Sequence, residues 1–524
     1  MPRRFAYQAA REYEEKYIFE SRREANLYLL AEQERLQQNP IPLTASDYEL
    51  EQLAKKHAQE MRQIAMIIPD EVQAVVRLWK LAQQYGVRPP NLYTPNISPR
   101  GILRRLWDEL WWHRQLRRAH AKALETEAIR WGNVHKHAGL YISDESFHRY
   151  QEQQKRNQRI LSHLIAENED MQFFMLENLI ARGMANPKNR RNELMCRIHG
   201  FETIANELGH VGEFLTITCP SRMHARQSKS NRPNAKFDGT TPKQAQRYLS
   251  QVWARIRSKL KRDNIEVYGF RVAEPHQDGT PHWHILLFAD QRHIKPIRQI
   301  FQHYALETDG DEEGAKQHRF THKSIDKSKG SAIGYIAKYI SKNIDGHAID
   351  QDEDGLDAKQ SAQRVTAWAS TWGIRQFQQF GGVPVTIWRE LRKNKQQPPE
   401  GIITQAFEAA DTGKWAEFLK TLGGAAPLRK DLPIQLDKHD SEELGKYGDP
   451  IGKQIIGVIA NTTRLKTRIH QWSMTTMKKL QKRFEAAVHA TATPYASEPL
   501  GGGADARNLA HRTDLSGEAA LEFC

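Results

Sequence analysis

Cysteine is scarce in this sequence. Cys196, Cys219 and Cys524 are the three in 524 residues, too few and too far apart for a disulfide framework, and they suit a reducing cytoplasm. Long hydrophobic runs are missing too. No stretch of about 18 apolar residues occurs, which argues against a membrane-spanning helix and against a membrane partner. The opening Met-Pro-Arg-Arg-Phe leads into a charged helical pattern and lacks the apolar core of a signal peptide. A phosphate-binding loop is also absent: the nearest candidate, Gly445 to Lys453, has the wrong spacing. No repeat at a solenoid period appears. Acidic charge is in deficit, with 63 Asp and Glu against 77 Lys and Arg, for a net +14. That balance favours a polyanionic partner.

The length is that of about three domains. Residues 1–195 read as a mainly helical region with apolar residues three and four apart. Leu103, Trp107, Leu110 and Trp111, flanked by Arg104, Arg105, Arg114, Arg117 and Arg118, exemplify it and make it a candidate DNA contact. The texture changes near 210. Strands are expected at Glu213–Thr218, Ile265–Ala273, His282–Phe288 and His318–Ile325, and helices at Pro242–Arg262, Ile294–Leu306 and Ala332–Asn343. The fold class is therefore α+β. The order β-α-β-β-α-β is that of a ferredoxin-like antiparallel sheet with its first and third strands side by side at the centre. This domain is expected to run over 196–395, ending in an aromatic block from Trp368 to Arg389 that completes its packing. A helical C-terminal region should follow over 396–487, and a disordered tail over 488–524.

Two fragments carry chemistry. The first runs from Glu274 through Pro281-His-Trp-His284 to Phe288. Alternate side chains of a strand share a face, so His282 and His284 are neighbours and can bind one cation together, while Trp283, Ile285 and Leu287 face the other layer. The turn-rich connector Pro275–Pro281 returns the chain so that Glu274 becomes a natural third ligand. His276 in that connector is a weaker candidate. A nitrogen–oxygen site with open positions suits a Lewis acid acting on a phosphate, and availability selects one divalent cation, Mg²⁺ or Mn²⁺. Cys219 and His224 lack the second pair that a zinc site needs.

The second fragment is Tyr335-Ile-Ala-Lys338-Tyr339-Ile-Ser-Lys342. Tyrosines at i and i+4 project from one helical face, so both hydroxyls can reach one phosphate. A phenol with an ordinary pKa of about 10 needs help to act as a nucleophile at neutral pH. Lys338 and Lys342, three residues after each tyrosine, can supply positive charge to the phenolate or to the transition state. The alternative for the helix is tyrosines in a core and lysines in solvent.

Phe214-Leu-Thr-Ile-Thr218, Pro281–Phe288 and Tyr335–Lys342 together resemble the three motifs of HUH endonucleases. Histidines before tyrosines is the order of replication initiators, and two tyrosines resemble the replication gene A proteins of tailed temperate phages. The resemblance is dense over about 190–395. It implies a rolling-circle initiator in the cytoplasm of a bacterial host. One tyrosine would cut a specific strand of origin DNA, single-stranded at the nick, and hold its end as a 5′-phosphotyrosine, and the second tyrosine would close the displaced circle. Carried over by position, His282 and His284 are metal ligands with Glu274 as the third, and Tyr335 and Tyr339 are nucleophiles. With no ATP site in the chain, strand separation would fall to a host helicase and its replication machinery.

A basic run supplies candidate phosphate contacts: Arg222, Arg226, Lys243, Arg247, Arg255, Arg257, Lys259, Lys261 and Arg262, with Asp238 the one acid between 222 and 262. The other reading of such a run is a solvated helix face. Alternatives for the whole chain are a transposase or plasmid initiator with the same chemistry, or an origin-binding protein without it.

Overall fold

A computed structural model describes residues 2–227, 230–326, 328, 331–347, 357–394, 398 and 400–491. Asp350, Asp352, Glu353 and Asp354, which read as an acidic loop in the sequence, and the expected tail from residue 492 onward, lie outside the described residues. The chain forms two compact units. One comprises Met1–Tyr150, Glu202–Gly381 and Lys438–Gln454, and the other Gln151–Phe201, Gly382–Asp437 and Ile455–Cys524.

The first unit holds a five-stranded sheet of β1 (Val211–Ile217), β2 (Tyr268–Pro275), β3 (Pro281–Ala289), β4 (Phe320–Ser324) and β5 (Phe377–Phe380). The strand order is β4-β1-β3-β2-β5, and every neighbouring pair is antiparallel. The helix Pro242–Arg262 lies between β1 and β2 in the chain, and the helix Ile294–Leu306 between β3 and β4. The first of these starts sharply. The Thr241 hydroxyl accepts a hydrogen bond from the Gln244 backbone N–H, Gln244 Oε1 accepts one from the Thr241 backbone N–H, and Pro242 occupies the first turn. Its buried stripe, Ala245, Leu249, Val252, Trp253, Ile256 and Leu260, shares one apolar core with Leu215, Trp283, Ile285 and Leu287 of the sheet and with Ile297 and Phe301 of the second helix. Alternation thus seals one sheet face under helices. The opposite face carries Phe214, Thr216, His282 and His284, and meets the helix Ala332–Ile344.

The strand limits differ from expectation by one to three residues, and two of the differences matter. β2 starts at Tyr268 and continues through Glu274 to Pro275, where it pairs with Pro281. A tight turn permits this: His276 N donates to Thr280 O at 2.8 Å, Gly279 N donates to His276 O at 2.8 Å, and Gly279 has φ +83°, a conformation that favours glycine. His318, expected in a strand, ends the short helix Ala315–His318, and β4 begins at Phe320. The aromatic block, Trp368–Arg389, begins in the last turn of the helix Ala358–Trp372, whose Trp368 and Trp372 join the same core, and continues into the edge strand β5.

The helices of residues 1–150 include a second core of Leu50, Met61, Leu78, Leu106, Trp112 and Leu116. In the basic–aromatic segment, Leu103 and Trp111 are buried and Leu110 is exposed. Arg105 pairs with Asp449, and Arg117 with Asp47.

In the second unit, Trp388, Trp415 and Phe418 pack together, with centroids 5.0 Å apart for Trp388–Trp415 and for Trp388–Phe418. A small antiparallel sheet there orders Trp472–Thr476, Leu164–Asn168 and Phe173–Met175. The expectation of helix throughout 396–487 needs correction. Helices Ile402–Asp411 and Trp415–Thr421 give way to strands Gln435–Asp440, Lys453–Ala460, Thr463–Lys466 and Trp472–Thr476. The β-branched run Ile455, Ile456, Val458, Ile459 is the local reason, since such residues favour extended backbone when a partner strand is present.

Candidate metal centre and paired tyrosines

The cross-strand register assembles the centre. Glu274 of β2 lies directly opposite His282 of β3, and Thr216 of β1 directly opposite His284. Directly opposed residues bring their Cβ atoms within about 5 Å, so three strands deliver their side chains to one point. His282 Nε2 and His284 Nε2 are 2.9 Å apart, and Glu274 Oε2 lies 3.4 Å from His284 Nε2 and 3.9 Å from His282 Nε2. Among the described residues, these three form the one cluster of His, Cys, Asp or Glu with metal-ligand spacing.

The donor set fits a divalent cation. Thr216 Oγ1 is 3.0 Å from His284 Nδ1; accepting the Nδ1 proton there leaves the Nε2 lone pair aimed at the cluster. Burial, and after it the nearby His276, His284 and Lys342, holds the His282 pKa well below its ordinary value, so this imidazole is neutral. Two imidazole nitrogens 2.9 Å apart beside a carboxylate oxygen converge as a donor set that one cation can join. Glu274 is itself divided in its duties. Oε1 accepts a hydrogen bond from Asn343 Nδ2, while Oε2 faces the imidazoles.

His276 is not among the three. Its ring packs against His282 at a centroid distance of 4.0 Å, with His224 5.0 Å further out. His224 Nδ1 in turn lies 3.3 Å from Asp278 Oδ2. Burial, then the neighbouring His224, pushes the His276 pKa down to about 3. Cys219 is buried with its thiol pKa pushed up by burial.

The tyrosine helix starts at Ser331, whose side chain accepts from Gly334 N. Its buried side is Ala332, Ile336, Ile340 and Ile344, which leaves Tyr335 and Tyr339 on an adjoining face. Their surroundings differ. The Tyr339 ring lies 4.1 Å from His284 and 5.2 Å from Phe214, centroid to centroid. Tyr335 is 6.5 Å from Phe214, and Lys323 Nζ of β4 sits 4.9 Å over its ring. Lys342 is close enough to the imidazoles to depress His276 and His282, with its Nζ 5.6 Å over the Tyr141 ring. Lys338 is exposed.

The basic run is more committed than its linear charge implied. Arg222 pairs with Asp309 and Asp238, Arg255 with Glu307, and Lys259 with Asp263. Arg226 donates to the Gly132 carbonyl at 3.1 Å, and Lys243 to the Gly373 carbonyl at 2.8 Å. Arg247, Arg257, Lys261 and Arg262 are exposed. Lys259, Lys261 and Arg262 also occupy the last turn of their helix, where positive charge is favourable whatever the partner.

Thr216 and Asn343 are the members of this site that the sequence reading did not single out. Both had a legible signal. Thr216 lies in the Phe214–Thr218 fragment two residues from Phe214, on the histidine face, and Asn343 continues the four-residue spacing of Tyr335 and Tyr339.

Comparison with known proteins gives a consistent set of likenesses. The family model for the bacteriophage replication gene A protein (GPA) matches residues 44–347, more than half of the chain. The replication gene A protein of Escherichia phage 186 is 40% identical over 416 residues, covering 75% of this chain and 59% of that protein. The replication protein of Haemophilus phage HP1 is 41% identical over 401 residues, covering 74% of this chain and 51% of that protein. A probable replication endonuclease from a prophage-like region of Salmonella paratyphi A is 34% identical over 367 residues, covering 66% of this chain and 46% of that protein. The chain thus spans about half of the length of the curated relatives it matches. No solved structure matches it. No helix among the described residues is long and apolar enough to cross a membrane.

Proposed function

The chain belongs to the bacteriophage replication gene A protein family, and from that premise we propose that it initiates DNA replication as a metal-dependent, strand-transferring endonuclease of the HUH type. The observation that carries the proposal is the convergence of Glu274, His282 and His284 with the Tyr339 ring, 4.1 Å from His284. The strand order β4-β1-β3-β2, with one helix after β1 and one after β3, supports a ferredoxin-like nuclease domain.

Glu274, His282 and His284 would hold one Mg²⁺ or Mn²⁺, which when bound supplies polarisation of the scissile phosphate. A tyrosine oxygen forms a bond to phosphorus as the bond from phosphorus to the 3′-oxygen breaks. The phenol proton ends on that oxygen, leaving a free 3′-hydroxyl and a 5′-phosphotyrosine. In the joining step a 3′-hydroxyl attacks the phosphotyrosine and returns the phenol. One phosphodiester replaces another in each cycle, so no ATP is consumed. Lys342, beside the imidazoles, and Lys338 on the exposed side supply charge to the phosphate. Arg247, Arg257, Lys261 and Arg262 lie exposed for backbone contacts, and the substrate is origin DNA made single-stranded by a separate helicase. Two tyrosines allow one to hold the first end while the other cuts again.

Incubating the protein with Mn²⁺ and single-stranded DNA carrying the origin should give a covalent adduct resistant to denaturation. The double change Tyr335→Phe, Tyr339→Phe should give none. An undiminished adduct in that variant would sink the assignment.

A further inference from the structure

Asn343 joins the metal site to the nucleophile helix. It is fully buried on the last turn of the helix that carries both tyrosines. Its Nδ2 donates to Glu274 Oε1 and to the Tyr339 carbonyl, the latter at 2.6 Å. Its Oδ1 accepts from Gln376 Nε2 at 3.3 Å. Gln376 is anchored in its own right, since its backbone carbonyl accepts from Ala273 N, next to Glu274, at 2.8 Å. Both amide hydrogens and the amide oxygen of Asn343 are therefore engaged.

A buried amide costs free energy unless it is satisfied. An aliphatic residue would fill this helix position without needing three partners. What the amide adds is direction. It turns Glu274 so that Oε1 is occupied and Oε2 faces the imidazoles, and it fixes the helix at the turn where Tyr339 stands. We propose that Asn343, braced by Gln376, is a positioning residue that sets the metal carboxylate and the tyrosine helix in one register, so that metal binding and nucleophile placement depend on each other. The proposal rests on the functional reading above.

The test uses the full chain and two variants, Asn343→Leu, close in size and apolar, and Gln376→Leu, which removes only the brace. Mn²⁺ alone is the probe for binding, read by paramagnetic resonance or calorimetry. Adduct formation on single-stranded origin DNA is timed separately at saturating Mn²⁺. Partners of metal ligands typically matter by about 10- to 100-fold in affinity or activity. Asn343→Leu should weaken Mn²⁺ binding by about 10-fold or more and also slow the adduct rate at saturation by a similar factor. Gln376→Leu should move both in the same direction by less. Thermal unfolding of the metal-free proteins checks that the fold survives, and if Asn343→Leu fails to fold, Gln376→Leu carries the decision. Wild-type values in both measurements overturn the proposal. So does weaker Mn²⁺ binding with an unchanged saturated rate, because the carboxylate would then be oriented without any tie to the helix. If the unaltered protein itself neither binds Mn²⁺ nor forms an adduct, the functional reading fails instead, so the two failures are distinguishable.

Discussion

The two faces of β3 share nine residues of backbone and a buried apolar end, Leu286 and Phe288 continuing the histidine face, but they part at the histidines. On one face Trp283, Ile285 and Leu287 are wholly buried under helices, and the Trp283 indole N–H donates to Gln246 Oε1 at 2.9 Å. On the other, His282 and His284 form a polar cluster whose lone pairs converge. The sealed face gains from removing apolar area from water, about 25 cal/mol per Å². The histidine face gives up part of that gain to hold the His282 imidazole neutral and a carboxylate oriented. A strand can carry both because alternation separates them by one residue, and the sheet that stabilises the domain is also the ruler that spaces the two histidines and Glu274.

That contrast can be broken from either side. The largest effect is expected on the histidine face: His282→Ala combined with His284→Ala should abolish adduct formation, as should chelation of the metal, while the protein still binds single-stranded DNA and unfolds near the wild-type temperature. Retained metal-dependent cutting would refute the ligand assignment. Next comes the sealed face, where Trp283→Ala should cost about 3–5 kcal/mol of stability, read from denaturant midpoints. A loss below 1 kcal/mol would mean that this layer is not the domain's core.

A smaller effect should follow from Thr216→Val, which keeps the shape and removes the oxygen that meets His284 Nδ1. Mn²⁺ affinity should fall by about 10-fold with little change in thermal stability, and unaltered affinity would leave Thr216 without a role at the site. The smallest effect is a pH slope. His276, pushed down to about 3, and His282, well below its usual value, stay neutral in the folded metal-free protein. Unfolded histidine takes up a proton below about pH 6.5. The unfolded state therefore binds more protons between those limits, and stability must fall as pH drops from about 6.5 toward the folded values, by up to about 1.4 kcal/mol per pH unit for each histidine. His276→Gln should flatten this slope between pH 7 and 5, and a slope identical to the wild type would contradict the burial of this ring.

Much of the centre was legible from local pattern. The pairing of His282 with His284 needs only the two-residue period of a strand, and that of Tyr335 with Tyr339 only the helical turn. Glu274 was legible for a weaker reason, a connector rich in turn residues, and the structure supplies the stronger one, direct cross-strand opposition to His282. The basic run was the least legible. Asp309 and Glu307, which pair with Arg222 and Arg255, lie 87 and 52 residues further along the chain, so a window limited to 222–262 counts charges that the fold has already matched. The strands after residue 434 were missed because edge and small-sheet strands depend on partners more than on their own alternation.

Backbone periodicity by itself determined which side chains of this protein can act together: two imidazoles on one strand face, two phenols on one helix face, and an apolar set opposite each. Periodicity is a property of short segments, so it survives without knowledge of the rest. Tertiary structure alone decided that the two faces meet, that Tyr339 rather than Tyr335 rests on His284, that Thr216 meets His284 Nδ1, and that Asn343 holds Glu274. Those contacts join segments tens of residues apart, and hydrogen bonds and packing at about 3 to 4 Å are set only when sheet register and helix docking are fixed.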